Sequence, residues 1–198
     1  MKFLLLTKEV LALAKKKINY SEFKEGLSYP WRDMKKLWNI LWVLIPILGH
    51  FALMGYVKKI VNELVKGNNK SLPAFGNFWT NLRLGFWVFI KLVPLMLLLS
   101  FINLLPWIGG LVNAFLCIFF IPYLAINFLV TGKFADLFDY KKVIKNVFNN
   151  AGEYLIAFFK TLGYMVIYYL LSFVLIGIPC LTFGQFYFLT EFYAKYQK

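Results

Sequence analysis

The 198-residue chain is 61% hydrophobic and 20% aromatic, with only 16% charged residues and a formal net charge of +13. A soluble domain averages ~45–50% apolar and ~25% charged residues, so a chain with mean hydropathy +0.66 is not an ordinary soluble enzyme. The 22 Lys and Arg residues flank apolar runs, which is the pattern of loops held at the anionic cytoplasmic face of a bilayer rather than of a nucleic-acid footprint.

Residues 1–26 read as an N-terminal basic amphipathic segment. Its apolar run is broken by Thr7, Lys8 and Glu9 and stopped by Lys15, Lys16 and Lys17. It is too short to span, and no A-x-A site follows it as in a signal peptide, so an interfacial or bundle-capping helix is expected. Residues 27–198 then form one membrane-embedded domain.

A hydrocarbon core of ~30 Å needs about 20 apolar residues as helix. Residues 37–57, 84–105, 107–130 and 154–176 meet that length, and 177–194 is a shorter, more polar fifth run with Thr182, Gln185, Thr190 and Glu191. Lipid leaves backbone groups no partner, so the runs must be helical. The expected fold is an all-α polytopic membrane helix bundle with four to five transmembrane helices plus interfacial amphipathic helices. Pro106 and Gly177-Ile178-Pro179 make the two tight hairpin connections.

The first run admits two readings. As a full span it leaves nine Lys and Arg before residue 37 and eleven on the opposite face, which sets no orientation. As a re-entrant segment breaking at Ile45-Pro46-Ile47-Leu48-Gly49 it would put all twenty on one face. Re-entrant backbone must be buried in protein, so a kinked full span, and hence five spans, is favoured. In either case the basic connections 58–83 and 131–153 are expected to be cytoplasmic.

Those connections carry apolar stripes. Tyr140, Val143, Ile144, Val147 and Phe148 recur at helical spacing opposite Lys141, Lys142, Lys145 and Asn149. Leu72, Phe75, Phe78, Trp79 and Leu82 form a second, less regular stripe. Both stripes fit either helices lying on the lipid surface or ordinary cover helices packed on the bundle, and on the first reading Lys58, Lys59, Arg83, Lys141, Lys142 and Lys145 are the membrane-surface candidates. Trp31, Trp38, Trp79 and Trp107 fall near interfaces as belt residues.

Within the runs, His50, Lys91, Lys160, Asn113, Asn127 and Gln185 are the intramembrane polar candidates. Lys91 and Lys160 each lie about two turns into a run that starts from the basic side, so both can snorkel to it. One histidine cannot hold a metal, and Asp136 and Asp139 fit a helix cap better than a metal or headgroup site. Cys117 and Cys180 fit small buried apolar residues rather than a disulfide. No acid sits mid-span and no catalytic signature is present, so neither an enzyme nor a cofactor is expected.

Several pieces occur in a familiar order. They are Leu27-Ser28-Tyr29-Pro30-Trp31-Arg32-Asp33, Ile45-Pro46-Ile47-Leu48-Gly49, Gly55-Tyr56, Gly67 and Leu72-Pro73. Later come Gly132-Lys133-Phe134-Ala135-Asp136-Leu137-Phe138-Asp139 and Gly152-Glu153-Tyr154-Leu155. Over residues 27–196 the chain resembles the domain of unknown function 4013 family, multi-pass proteins of archaea and some bacteria. It departs from that pattern at Phe75-Gly76-Asn77-Phe78, where the family tends to carry acids. The resemblance implies an integral membrane protein and transfers no catalytic residues. The segments after Ile45-Pro46 and Ile121-Pro122 also run alike, as in a parallel duplication.

The functional expectation is a multi-pass cell-membrane protein, a non-enzymatic scaffold or accessory subunit. Its partners would be the bilayer with its anionic headgroups and a membrane protein or second copy, not nucleic acid. A small-solute transporter or channel and a membrane enzyme acting on lipid headgroups are the alternatives.

Overall fold

The computed structural model describes residues 22–106 and 108–197, which are largely helical and include no strand. The expected helix before residue 22, and Trp107, lie outside the described residues. Phe23–Ser28 (α1) leads through the 3-10 turns Pro30–Asp33 and Trp38–Leu44 to Leu48–Val65 (α2). After a loop come Phe78–Asn103 (α3), Ile108–Phe119 (α4) and Ile121–Thr131 (α5). Tyr140–Asn146 (α6), Ala151–Leu171 (α7), Gly177–Gly184 (α8) and Tyr187–Tyr196 (α9) complete the order.

Two helical stretches are long and apolar enough to cross a membrane: Phe78–Asn103, and Tyr140–Val174, which contains α7. The pair α4–α5, bent by 50°, makes a third if it counts as one span. That is fewer than the four to five expected from the sequence, for two local reasons. The run 37–57 is not one helix. Pro46 has no N–H to continue a helix, Ile47 takes a left-handed φ of 63°, and α2 then returns with Lys58, Lys59 and Glu63 in its body. The run 177–194 is divided at Gln185-Phe186 into helices of 8 and 10 residues.

The return at 45–49 is a hairpin, and the structure repeats it. Ile45 N–H donates to Trp42 C=O at 3.1 Å, Leu48 to Pro46 at 2.6 Å and Gly49 to Ile45 at 3.0 Å. Sixty positions later Leu105, Ile108 and Gly109 make the same bonds to Ile102, Pro106 and Leu105 at 3.1, 2.7 and 3.0 Å. A Cβ on Gly49 would lie 1.7 Å from Trp42 O, and one on Gly109 2.1 Å from Ile102 O, so each glycine admits close approach of its preceding limb. A third turn bends at Leu175 (φ 63°) and seats Gly177 with its Cβ position 2.2 Å from Tyr168 O. The matching partner of Ile45–Gly49 is thus Leu105–Gly109. Ile121-Pro122, where the sequence pattern suggested a repeat, instead opens α5 at its 50° bend from α4.

That kink has a definite cause. Pro122 lacks the N–H that would bond the carbonyl of Ile118 four residues back, and the Tyr154 hydroxyl on α7 donates to that carbonyl instead. Tyrosines serve other backbone carbonyls in the same way. Tyr164 donates to Cys180 O at 2.5 Å and Tyr168 to Leu27 O at 2.6 Å. Trp31, expected in an interfacial belt, is half-buried and donates to the Tyr168 hydroxyl at 2.7 Å. Trp38 and Trp79 are exposed.

Helices α2 and α3 cross in backbone contact. Gly55 faces Asn81 O and Gly85 faces Phe51 O, with Cβ positions only 1.9 and 1.8 Å from those oxygens. Small residues at a helix crossing permit this spacing. The apolar stripe after Ser71 is not one surface helix, because only Phe78, Trp79 and Leu82 fall in α3. Leu72 and Phe75 are buried in an extended loop, and side chains take its carbonyls. Lys36 donates to Leu72 O at 2.5 Å, Tyr56 to Pro73 O at 2.8 Å, and Lys59 and Asn81 to Phe75 O at 3.0 and 2.8 Å. A buried loop needs such partners, which explains why polar groups surround it.

Helix α6 divides its apolar stripe. Val143 and Val147 are buried, while Tyr140, Ile144 and Phe148 are exposed. Asp139 caps the helix by accepting from Lys142 N–H at 3.2 Å.

Candidate functional site

A cavity of about 380 Å³ lies among five segments. The first limb contributes Ile40 and Val43, α2 contributes His50, Leu53, Met54 and Val57, and α3 contributes Val88 and Leu92. Helix α5 adds Ala125, Phe128 and Leu129; Ile178, Thr182, Gln185 and Phe186 close it from the last hairpin. The lining is apolar apart from His50, Thr182 and Gln185. The volume lies within the ~300–1,000 Å³ of ligand pockets, and it is more than twice the ~150 Å³ that admits benzene to an engineered apolar cavity.

Two of the sequence candidates meet beside this cavity. Lys91 Nζ donates to Gly132 O at 2.7 Å, and a Cβ at Gly132 would lie 3.3 Å from Lys58 Nζ. Gly132 ends α5 in the left-handed region at φ 69°, so its carbonyl and the end of the helix draw both cations. Lys58 Nζ also stands 5.9 Å from the centroid of the Phe128 ring, which lines the cavity. Burial, and then repulsion from Lys91, push the Lys58 amine below its ordinary range. Among the described residues no carboxylate forms an ion pair with either lysine.

The family model described as Protein of unknown function (DUF4013) matches residues 39–178. The chain belongs to this family. The DUF4013 match runs from the first limb to the turn of the last hairpin and takes in most of the cavity. It is narrower than the resemblance over 27–196. No curated protein and no solved structure matches the chain.

The remaining candidates are dispersed through the DUF4013 fold. His50 and Gln185 share the cavity lining. Asn127 is locked, with its amide N–H donating to Asp136 O at 3.1 Å and its Oδ1 accepting from Tyr193 at 2.9 Å. Asn113 lies beside Cys117 Sγ at 3.7 Å, and Lys160 Nζ stands 5.7 Å from the Phe188 ring centroid. Both cysteines are free thiols, Cys180 buried and Cys117 exposed.

At the surface, Arg83, Lys141 and Lys145 are exposed. Lys142 is held by Asp136 at 3.4 Å and Asp139 at 3.2 Å. The Thr131 hydroxyl, followed by Lys142, holds the Asp136 carboxyl below its usual range against the opposing effect of burial. Among the described residues no cluster of three or more His, Cys, Asp or Glu side chains could hold a metal.

Sequence reasoning missed the cavity and the Lys58–Lys91 meeting. The signal was there in part, because Lys58 and Lys91 each end an uncharged run. Nothing in the spacing brings Gly132 between them.

Proposed function

We propose that the protein is an integral membrane protein that acts without chemistry, as a scaffold or accessory subunit, with its charged face against anionic headgroups. The observation that carries this reading is the partition of charge. Residues 37–57, 92–132 and 161–190 contain no Asp, Glu, Lys or Arg. Each segment turns back on itself, at 45–49, 105–109 and 175–177.

Three uncharged hairpins therefore dip from one charged face, and their limbs expose large side chains such as Leu44, Phe101, Leu104 and Phe173. In water these patches would drive aggregation, whereas in hydrocarbon they cost nothing. The first hairpin is too short to span and re-enters. The others each carry a helix long enough to cross, and their return limbs are the bent pair α4–α5 and the divided pair α8–α9. The excess of Lys and Arg assigns the charged face to the cytoplasm.

A conduit for small polar solutes has less support. Asn127 is spoken for on both sides of its amide, and the cavity is apolar along most of its wall.

The headgroup part is tested by hydrogen exchange on reconstituted protein. Residues 131–150 gain protection in anionic bilayers at low salt and lose it in neutral ones. Equal protection in both removes that part of the reading.

A further inference from the structure

We propose that the cavity between α2, α3, α5 and α8 is a binding site for one apolar tail of an acidic membrane lipid, whose anionic headgroup is held by Lys58 and Lys91. This rests on the membrane-embedded reading above and names the ligand of the site. The cavity wall is mostly hydrocarbon, with Leu53, Met54, Val88, Leu92 and Phe128 among its lining and only His50, Thr182 and Gln185 polar. A solute needing many hydrogen bonds would find few there, whereas an alkyl chain needs none.

The polar end is set by charge. Lys91 Nζ uses one donor on Gly132 O, at 2.7 Å, which leaves two for a ligand. Lys58 Nζ stands beside the same glycine, and among the described residues neither amine has a carboxylate partner. Two half-buried ammonium groups held together are a cost unless an anion joins them. A phosphate or carboxylate headgroup supplies that anion, and point-charge recognition by lysine tolerates either form.

The directions also agree. Lys58 opens the charged connection 58–83 and Lys91 Nζ meets Gly132, where the connection 131–153 begins, while the exposed lining residues Val43 and Ile178 lie beside the turns at 45–49 and 175–177. A lipid bound this way keeps its head at the interface and its tail toward the bilayer interior.

The test uses the full chain in bilayers containing phosphatidylglycerol with a diazirine in one tail, or phosphatidylcholine carrying the same tail. Adducts are mapped by peptide mass spectrometry. The phosphatidylglycerol probe is expected to mark peptides from 40–57 and 178–186 at least five-fold more than the phosphatidylcholine probe. Lys58→Gln with Lys91→Gln should abolish that preference, and Ala125→Trp should block labelling of the cavity by filling it while leaving the outer face of α7 labelled. Equal marking by both probes, or a preference unchanged in the double variant, overturns the proposal, as does an unlabelled cavity in wild-type protein. Resistance to carbonate extraction is measured on the same samples. Protein that resists extraction but fails the labelling test sinks this inference alone, and extracted protein sinks the membrane reading on which it rests.

Discussion

Replacing Gly85 by Ala perturbs the α2–α3 crossing. The added Cβ would sit 1.8 Å from Phe51 O and 2.7 Å from Gly55 N, both backbone atoms of a packed helix. Carbon contacts are comfortable at ~3.5 Å, so the helices must part by on the order of 1.5 Å. Overpacking of this kind costs ~1–3 kcal/mol, and an obstacle that cannot rotate away favours the upper half. Alanine returns ~1 kcal/mol through its better helix propensity, which leaves a net loss of about 1–2 kcal/mol. For a domain of this size that lowers the unfolding midpoint by roughly 2–8 °C. Gly152 supplies the control, because a Cβ there meets nothing within 4 Å in the first turn of α7. Thermal unfolding in detergent should show Gly85→Ala destabilised and Gly152→Ala neutral or stabilised. If both variants gain stability equally, the backbone crossing is not the constraint described here.

Tyr154→Phe leaves the Ile118 carbonyl, already deprived of a donor by Pro122, without its partner, and should cost ~1–2 kcal/mol by the same unfolding assay; an unchanged midpoint would count against the account of the kink. Acid should loosen the 131–146 connection. The Asp136 carboxyl titrates below its unfolded value of ~3.9, so its contribution is full above that pH and disappears as pH falls through the lower, folded value. Proteolysis of that connection should therefore rise below about pH 4 in wild type, while Asp136→Asn should be susceptible already at pH 7 and respond less to acid.

The apolar runs and their charged borders were legible because each is a property of adjacent residues. The α3 and α7 helices follow from them, as does the Asp139 cap, which is a local preference. The first run could be read two ways because a single kinked helix and a pair of limbs joined by a turn use the same letters, Pro46 and Gly49. What separates them is the left-handed φ at Ile47 and the approach of Gly49 to Trp42 O. Those are consequences of packing. The stripe Leu72–Leu82 misled for a related reason. Its second half, Phe78 to Leu82, does open a helix, but the buried loop residues Leu72 and Phe75 look like a continuation of that face until the donors from Lys36, Tyr56, Lys59 and Asn81 are seen. The cavity was invisible because its walls come from segments more than 130 residues apart in the chain, Ile40 to Gln185.

Single cysteines at Lys66, Lys141 and Leu104, in a background lacking Cys117 and Cys180, probe the shared charged face most directly. Sealed inside-out and right-side-out vesicles are treated with a membrane-impermeant thiol reagent. Positions 66 and 141 should react together from the cytoplasmic side alone, and position 104 should not react from that side. Labelling of 66 and 141 from opposite sides would contradict the three-hairpin arrangement.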